Sequence, residues 1–311
     1  MSSAVEAAGR SGPTLALFPG MAAATTGMAR PFAASPAARA VFEEFSDHSG
    51  IDVFSLALDA DEATLLGDRH WELATVATEA AALAALREQG GEVNGALGFS
   101  IGAYVALLCA GVTSVVQTVT MIDAVLDGCR SLAGGPFAMA AVSGVTAPEA
   151  AAAAEAAGAA LAAVITPSQT LLAGPQAAVG RAVAGLATRA LRIQTLDVRW
   201  PLHTAWMGPA RERLTGVRAS LGGFHEPART VYSALHGRRL DEAEECWELL
   251  TGHLTAVQRF DVAFAAARAD GFARCVELGP GGTLTRAVRW LARDEVTVSR
   301  FRIGDGEEYG C

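Results

Sequence analysis

The 311-residue chain predicts an α/β fold, a parallel sheet carrying an inserted α+β subdomain. Three observations lead there: short apolar runs stopped by glycine and proline, helix-spaced Ala/Leu/Glu/Arg stretches between them, and a βαβαβ rhythm confined to one internal region. Hydrophobic residues make up 51% and charged residues 18%, a globular balance with enough chain to bury a large core.

Residues 1–13 are Ser/Ala/Gly-rich and are expected to be a flexible start. Thr14–Phe18 reads as a buried strand stopped by Pro19-Gly20. Residues 37–47 and 72–89 have helical spacing, the second ending at Gly90-Gly91. Val93–Phe99 then reads as a strand and Ile101–Cys109 as a helix. Gly134-Gly135-Pro136 opens the inserted region. It predicts a strand at Ala138–Val142, an Ala-rich helix at Pro148–Ala163, a strand at Thr170–Ala173, a helix at Pro175–Leu186 and a strand at Leu191–Val198. Beyond His203 come a helix at Pro209–Leu221, a strand near Val231, a long helical stretch at Glu242–Ala269, and the strand Ala273–Leu278 ending at Gly279-Pro280-Gly281. The expected division is a large subdomain (14–130 and 197–300), a small one (131–196) and a tail (301–311).

Charge and composition exclude several functions. The net charge of −9 argues against a general nucleic-acid or anionic-membrane binder, which needs a basic face. All 24 basic residues are arginine, so a lysine-dependent phosphate loop and Schiff-base chemistry are both out. The five cysteines (Cys109, Cys129, Cys246, Cys275, Cys311) contain no C-x-x-C and suggest neither a disulfide framework nor a metal site. A reducing cytoplasm is the expected location. The apolar stretch Ala150–Ile165, interrupted by Glu155 and Gly158, is too broken for a membrane span, and no membrane partner is expected.

Gly98-Phe99-Ser100-Ile101-Gly102 is a G-x-S-x-G between strand and helix, the pattern that lifts a serine hydroxyl out of a sharp turn. A serine needs an imidazole to take its proton. Of the six histidines (His48, His70, His203, His225, His236, His253), His203 is best placed, after Pro201 where the insertion rejoins the main sheet.

Phe18-Pro19-Gly20, the Ser100 elbow with Tyr104, Pro201-Leu202-His203-Thr204 and Val276-Glu277-Leu278-Gly279-Pro280-Gly281 occur in the order and spacing of one family. Ile165-Thr166-Pro167-Ser168-Gln169 and Leu171-Leu172-Ala173-Gly174 add to them. From about Leu15 to Ala292 the chain resembles malonyl-CoA:acyl carrier protein transacylases, the acyltransferases of fatty-acid and polyketide synthesis. The resemblance implies an α/β-hydrolase-like core with a ferredoxin-like insertion. It also implies ping-pong chemistry, in which Ser100 carries the acyl ester and His203 acts as base and then acid. Backbone N–H groups of Met21 and Ile101 would form the oxyanion hole, and the backbone carbonyl of His253 would orient His203. No bound cofactor or metal is implied; phosphopantetheine thioesters, on acyl-CoA or an acyl carrier protein, are the substrates.

The departures from the family pattern bear on substrate. Phe99, Ile101, Ala103, Met21 and Ala22 make the site more apolar than usual. Val125 falls where the family places the arginine that grips a malonyl carboxylate, and Arg130 sits on a different helix face. A carboxylate buried without that fork would be unpaired at a cost of several kcal/mol, so malonyl-CoA is expected to be a poor substrate. Val125, Phe99, Met139, Trp200 and Leu202 are the expected acyl-pocket wall. Arg181, Arg189, Arg192, Arg199, Arg286, Arg289 and Arg293 are candidates for a positive rim facing an acidic carrier. Three alternatives stay open: a carrier-protein hydrolase on the same fold, an ordinary malonyl transacylase, and a non-catalytic docking scaffold.

Overall fold

The computed structural model describes residues 12–20, 24–67 and 69–303. Most of the expected flexible start and tail, and Met21, lie outside them. The chain runs β1 (Thr14–Phe18), α1 (Pro36–Ser49), α2 (Val53–Asp59), α3 (Glu62–Leu65), α4 (His70–Glu88), β2 (Gly95–Gly98), α5 (Gly102–Cys109) and α6 (Val115–Cys129). It continues β3 (Phe137–Ser143), α7 (Ala147–Ala157), β4 (Ala160–Thr166), β5 (Gln169–Pro175), α8 (Gln176–Leu186) and β6 (Arg192–Leu196). The last part is α9 (Gly208–Gly216), β7 (Thr230–Ser233), β8 (Arg238–Leu240), α10 (Ala243–Gly252), β9 (Gln258–Arg259), α11 (Phe260–Ala269), β10 (Arg274–Glu277), α12 (Thr283–Ala292) and β11 (Thr297–Arg300).

Six strands form the larger sheet in the order β11-β10-β1-β2-β7-β8, parallel throughout except for the β7–β8 hairpin. Parallel strands are covered on both faces, and β1 and β2 are accordingly buried along their whole length. Alternation along β1 divides the core. Ala16 and Phe18 pack with Phe42 and Phe45 of α1 and Leu73 of α4, while Leu15 and Leu17 pack with Phe260 and Phe264 of α11.

The smaller sheet has the order β6-β3-β5-β4-β9, antiparallel except where β9 adds to β4. Its βαββαβ path is ferredoxin-like, and its edge strand β9 is supplied from far outside the 131–196 interval.

The structure corrects two sequence expectations. The Ala-rich helix does not reach Ala163; it stops at Gly158, whose left-handed φ of 78° closes α7, and Ala160–Thr166 is the strand β4. The stretch Glu242–Ala269 is not one helix but α10 and α11, separated by a turn at His253 and the short β9. Helix starts follow side-chain capping: Ser35 opens α1, Ser114 with Gln117 opens α6, and Thr146 with Glu149 opens α7. No described helix is long and apolar enough to cross a membrane.

Candidate active site

The elbow forms because β2 ends and α5 begins within four residues. Ser100 takes a left-handed φ of 56°, a conformation uncommon for a residue with a side chain. Its neighbours must be glycine: a Cβ on Gly98 would lie 2.2 Å from the carbonyl oxygen of Gly102, and one on Gly102 would lie 2.3 Å from that of Phe18. The motif is therefore steric as well as chemical.

His203 is 3% exposed and also left-handed, at φ 63°. Its Nε2 lies 2.9 Å from Ser100 Oγ, and its Nδ1 lies 2.6 Å from the backbone carbonyl of His253. A carbonyl only accepts, so Nδ1 carries the proton and Nε2 presents a lone pair to the serine hydroxyl. Burial lowers the His203 pKa to about 4, opposed by the bond to the His253 carbonyl. The His253 ring is equally buried. Its Nδ1 is bonded to the Leu249 carbonyl at 3.0 Å, and burial and the nearby His203 bring its pKa to about 3. Both imidazoles are neutral at pH 7, as a base awaiting a proton requires.

Ile101 stands at the N-cap of α5, where backbone N–H groups precede the helical ladder. Before it, the Gly20 N–H donates to Glu79 Oε1 at 2.7 Å, anchoring the loop that leads towards Met21. Glu79 is fully buried, and desolvation raises its pKa well above the ordinary carboxyl value. The Val276–Gly281 motif has a structural role: the buried Glu277 carboxylate accepts from the Leu284 and Thr285 N–H groups at 3.2 and 2.8 Å and so holds the start of α12.

A cavity of about 50 Å³ opens beside Ser100 and His203, walled by Val125, Trp200, Leu202 and Tyr104. Val125, Trp200 and Leu202 thus line the cavity beside Ser100. Phe99 and Met139 do not. Phe99 turns to the opposite side of the elbow, edge-on to Phe260, and Met139 is buried in β3 opposite Ala173 and Leu196. Arg130 is not in the wall either; it caps α6, half-exposed, and bonds Asp127 at 2.5 Å. Sequence reasoning missed Glu72, which is 8% exposed and lines the same cavity from α4. The available signal was a pair of glutamates, Glu72 and Glu79, seven residues apart within a helix stretch that is otherwise apolar or small.

On the other side of the elbow, a cleft of about 300 Å³ runs between the two sheets. Pro19, Phe99, Arg192 and Arg286 are in its walls. Of the other arginines named from sequence, Arg181 and Arg189 bond Ala157 O and Glu149 on the small subdomain, away from the elbow. Arg199 borders a different recess.

Residues 16–303 match the acyl transferase domain family. The chain is 29% identical over 308 residues to an erythronolide synthase of Saccharopolyspora erythraea, covering 96% of this chain but only 9% of that synthase. It is 28% identical over 293 residues to the malonyl CoA-acyl carrier protein transacylase of Escherichia coli K12, covering 91% of this chain and 94% of the relative. Among solved structures, a complex of a type II polyketide synthase acyl carrier protein with its malonyl-transacylase superposes with a TM-score of 0.88 at 25% identity, covering 94% of this chain and 97% of that one. A match over nearly the whole described chain, together with the elbow's architecture, makes this chain a member of the acyl transferase domain family, to which malonyl transacylases and polyketide synthase acyltransferase domains belong.

Proposed function

We propose that the protein moves a non-malonyl acyl group between phosphopantetheine thioesters through an ester on Ser100, with an acyl carrier protein as partner, in polyketide or related biosynthesis. Ser100 Oγ attacks the thioester carbonyl while its proton passes to His203 Nε2. Collapse of the tetrahedral adduct expels the thiolate, which takes that proton and leaves the acyl ester. A second phosphopantetheine thiol reverses the steps. The Ile101 N–H, and that of Met21, are assigned to the oxyanion. The carrier as partner is supported by the similarity to a transacylase solved with its acyl carrier protein.

The observation that carries the choice of substrate is the cavity at Ser100. Val125 is in its wall and no arginine is among its described lining residues, so a malonyl carboxylate would meet no bidentate partner among them. Its size suits a short chain, since one water occupies roughly 10–15 Å³ of such space. Intact mass spectrometry of the protein and of Ser100→Ala after exposure to malonyl-CoA, acetyl-CoA, butyryl-CoA and matching acyl carrier proteins tests this. The expected result is a Ser100-dependent adduct from monocarboxylic donors, transferred onto an added empty carrier. Preferential malonyl loading would make this an ordinary malonyl transacylase. Release to water rather than to the carrier would make it a hydrolase, and no adduct from any donor would favour a docking scaffold.

A further inference from the structure

Neither Ser100 nor His203 uses a carboxyl group, yet the Glu79 carboxyl of α4 is fully buried one loop away from the elbow. Its Oε1 accepts the Gly20 N–H at 2.7 Å, and its Oε2 has no hydrogen-bond partner among the described residues. Desolvation raises its pKa well above the ordinary carboxyl value, against the opposing bond from Gly20 and with a smaller push from Glu277. The uncharged acid is favoured. A carboxyl buried with one oxygen unpaired costs stability relative to an apolar side chain, and its neighbours on α4 are apolar or small. Core packing therefore gives no reason for a glutamate at this position; its contact with Gly20 does.

Gly20 is pressed against the backbone of the elbow. Its φ is a left-handed 77°, and a Cβ on it would lie 2.4 Å from the Phe99 carbonyl oxygen and 3.4 Å from Ser100 Cβ. Glu79 also meets the loop after β10: a Cβ on Gly279 would lie 2.8 Å from Glu79 Cγ and 3.4 Å from Pro19 Cδ. The side chain is thus wedged between the loops that leave β1 and β10, two neighbouring parallel strands. Any slack there passes straight to the backbone touching Ser100.

We propose that Glu79 is a positioning residue: by holding the Gly20 N–H it fixes the loop after β1 against Ser100 and so places the oxyanion donor assigned to that loop. This rests on Ser100 as the acylated residue. The oxyanion develops only as the thioester is attacked, so a displaced donor lowers the maximal rate of acylation and leaves the half-saturating donor concentration unchanged.

The test follows Ser100 acylation by intact mass over a range of donor concentrations, using whichever of acetyl-CoA, butyryl-CoA and malonyl-CoA loads the wild type fastest. Glu79→Leu removes the acceptor and fills a similar space. It is expected to fold, as judged by thermal melting, and to lose about tenfold or more in maximal rate at an unchanged half-saturating concentration. Glu79→Gln keeps an uncharged acceptor at the same reach and is expected to load at least about fivefold faster than the leucine variant. Glu79→Met, longer and unbranched, takes the place of leucine if that variant does not fold. A smaller loss in a folded apolar variant, a loss confined to the half-saturating concentration, or a glutamine variant no faster than the apolar one overturns the proposal. Failure of both apolar variants to fold also overturns it, because Glu79 would then serve stability alone. All these outcomes leave the acyl-enzyme reading standing, whereas absence of any Ser100 adduct on the wild type overturns both.

Discussion

Ser100 and His203, the two residues proposed to exchange a proton, each occupy left-handed backbone, a conformation that residues with side chains adopt only where the surrounding structure imposes it. Burial of His203 has a kinetic consequence. Its pKa is about 4, so the neutral imidazole persists well below the pH at which an ordinary histidine protonates. The rate of Ser100 acylation from a neutral thioester is expected to stay flat from pH 8 to about 5 and to fall only near 4, measured by intact mass. The same burial acts on stability. The folded-state pKa values of His203 and His253 are lower than the unfolded one, so the unfolded chain binds more protons between about pH 6.5 and 4. Their contribution is complete above pH 6.5 and is lost as pH falls through that window, which urea unfolding at a series of pH values would record.

At the scale of elements, the cavity wall depends on how closely α6 can approach α9. Gly128 permits that contact: a Cβ there would lie 2.4 Å from the Ala210 Cα, a backbone atom that cannot swing away. Gly128→Ala is expected to cost about 1–3 kcal/mol by overpacking, seen as a lower urea midpoint at unchanged slope. Because Val125 lies one turn before Gly128 on the same helix, the variant should also change the ratio of acyl donors loaded. The elements that sequence misread have a common physical cause. Ala160–Thr166 is as apolar and small as the helix before it, and periodicity does not separate a buried strand from a buried helix. Similarly, β9 is two residues long and exists only because β4 offers it an edge.

For the molecule as a whole, a recess lies on each side of the elbow among the described residues, and the two are lined by different side chains. The cleft beside Phe99 is walled by Arg192 from the small sheet and Arg286 from α12, whereas the acyl side holds Glu72. On a chain of net charge −9, such a local basic wall suits an acidic carrier and the phosphate of its prosthetic arm. Replacing both arginines by glutamate is expected to lower kcat/KM for a carrier-bound donor about tenfold, with a steep salt dependence. A pantetheine thioester lacking the phosphate should be little affected. Equal loss for both donors would count against carrier docking at this cleft.

The sequence by itself determined the order of the main elements, the elbow at Ser100, the choice of His203 among six histidines and the family. These are written in contiguous residues: a turn needs its glycines beside it, and helix and strand periods repeat over a few positions. It did not determine what surrounds Ser100. Ser100 and His203 are 103 residues apart, and His203 reaches the His253 carbonyl across another 50. Only tertiary structure decided that Phe99 and Met139 face away from the acyl cavity, that Arg130 stays outside it, and that Glu72 enters it. A pocket wall is assembled from the facing sides of helices and loops distant in sequence. Which face each presents is set by the packing of the whole core, information that no local stretch of residues contains.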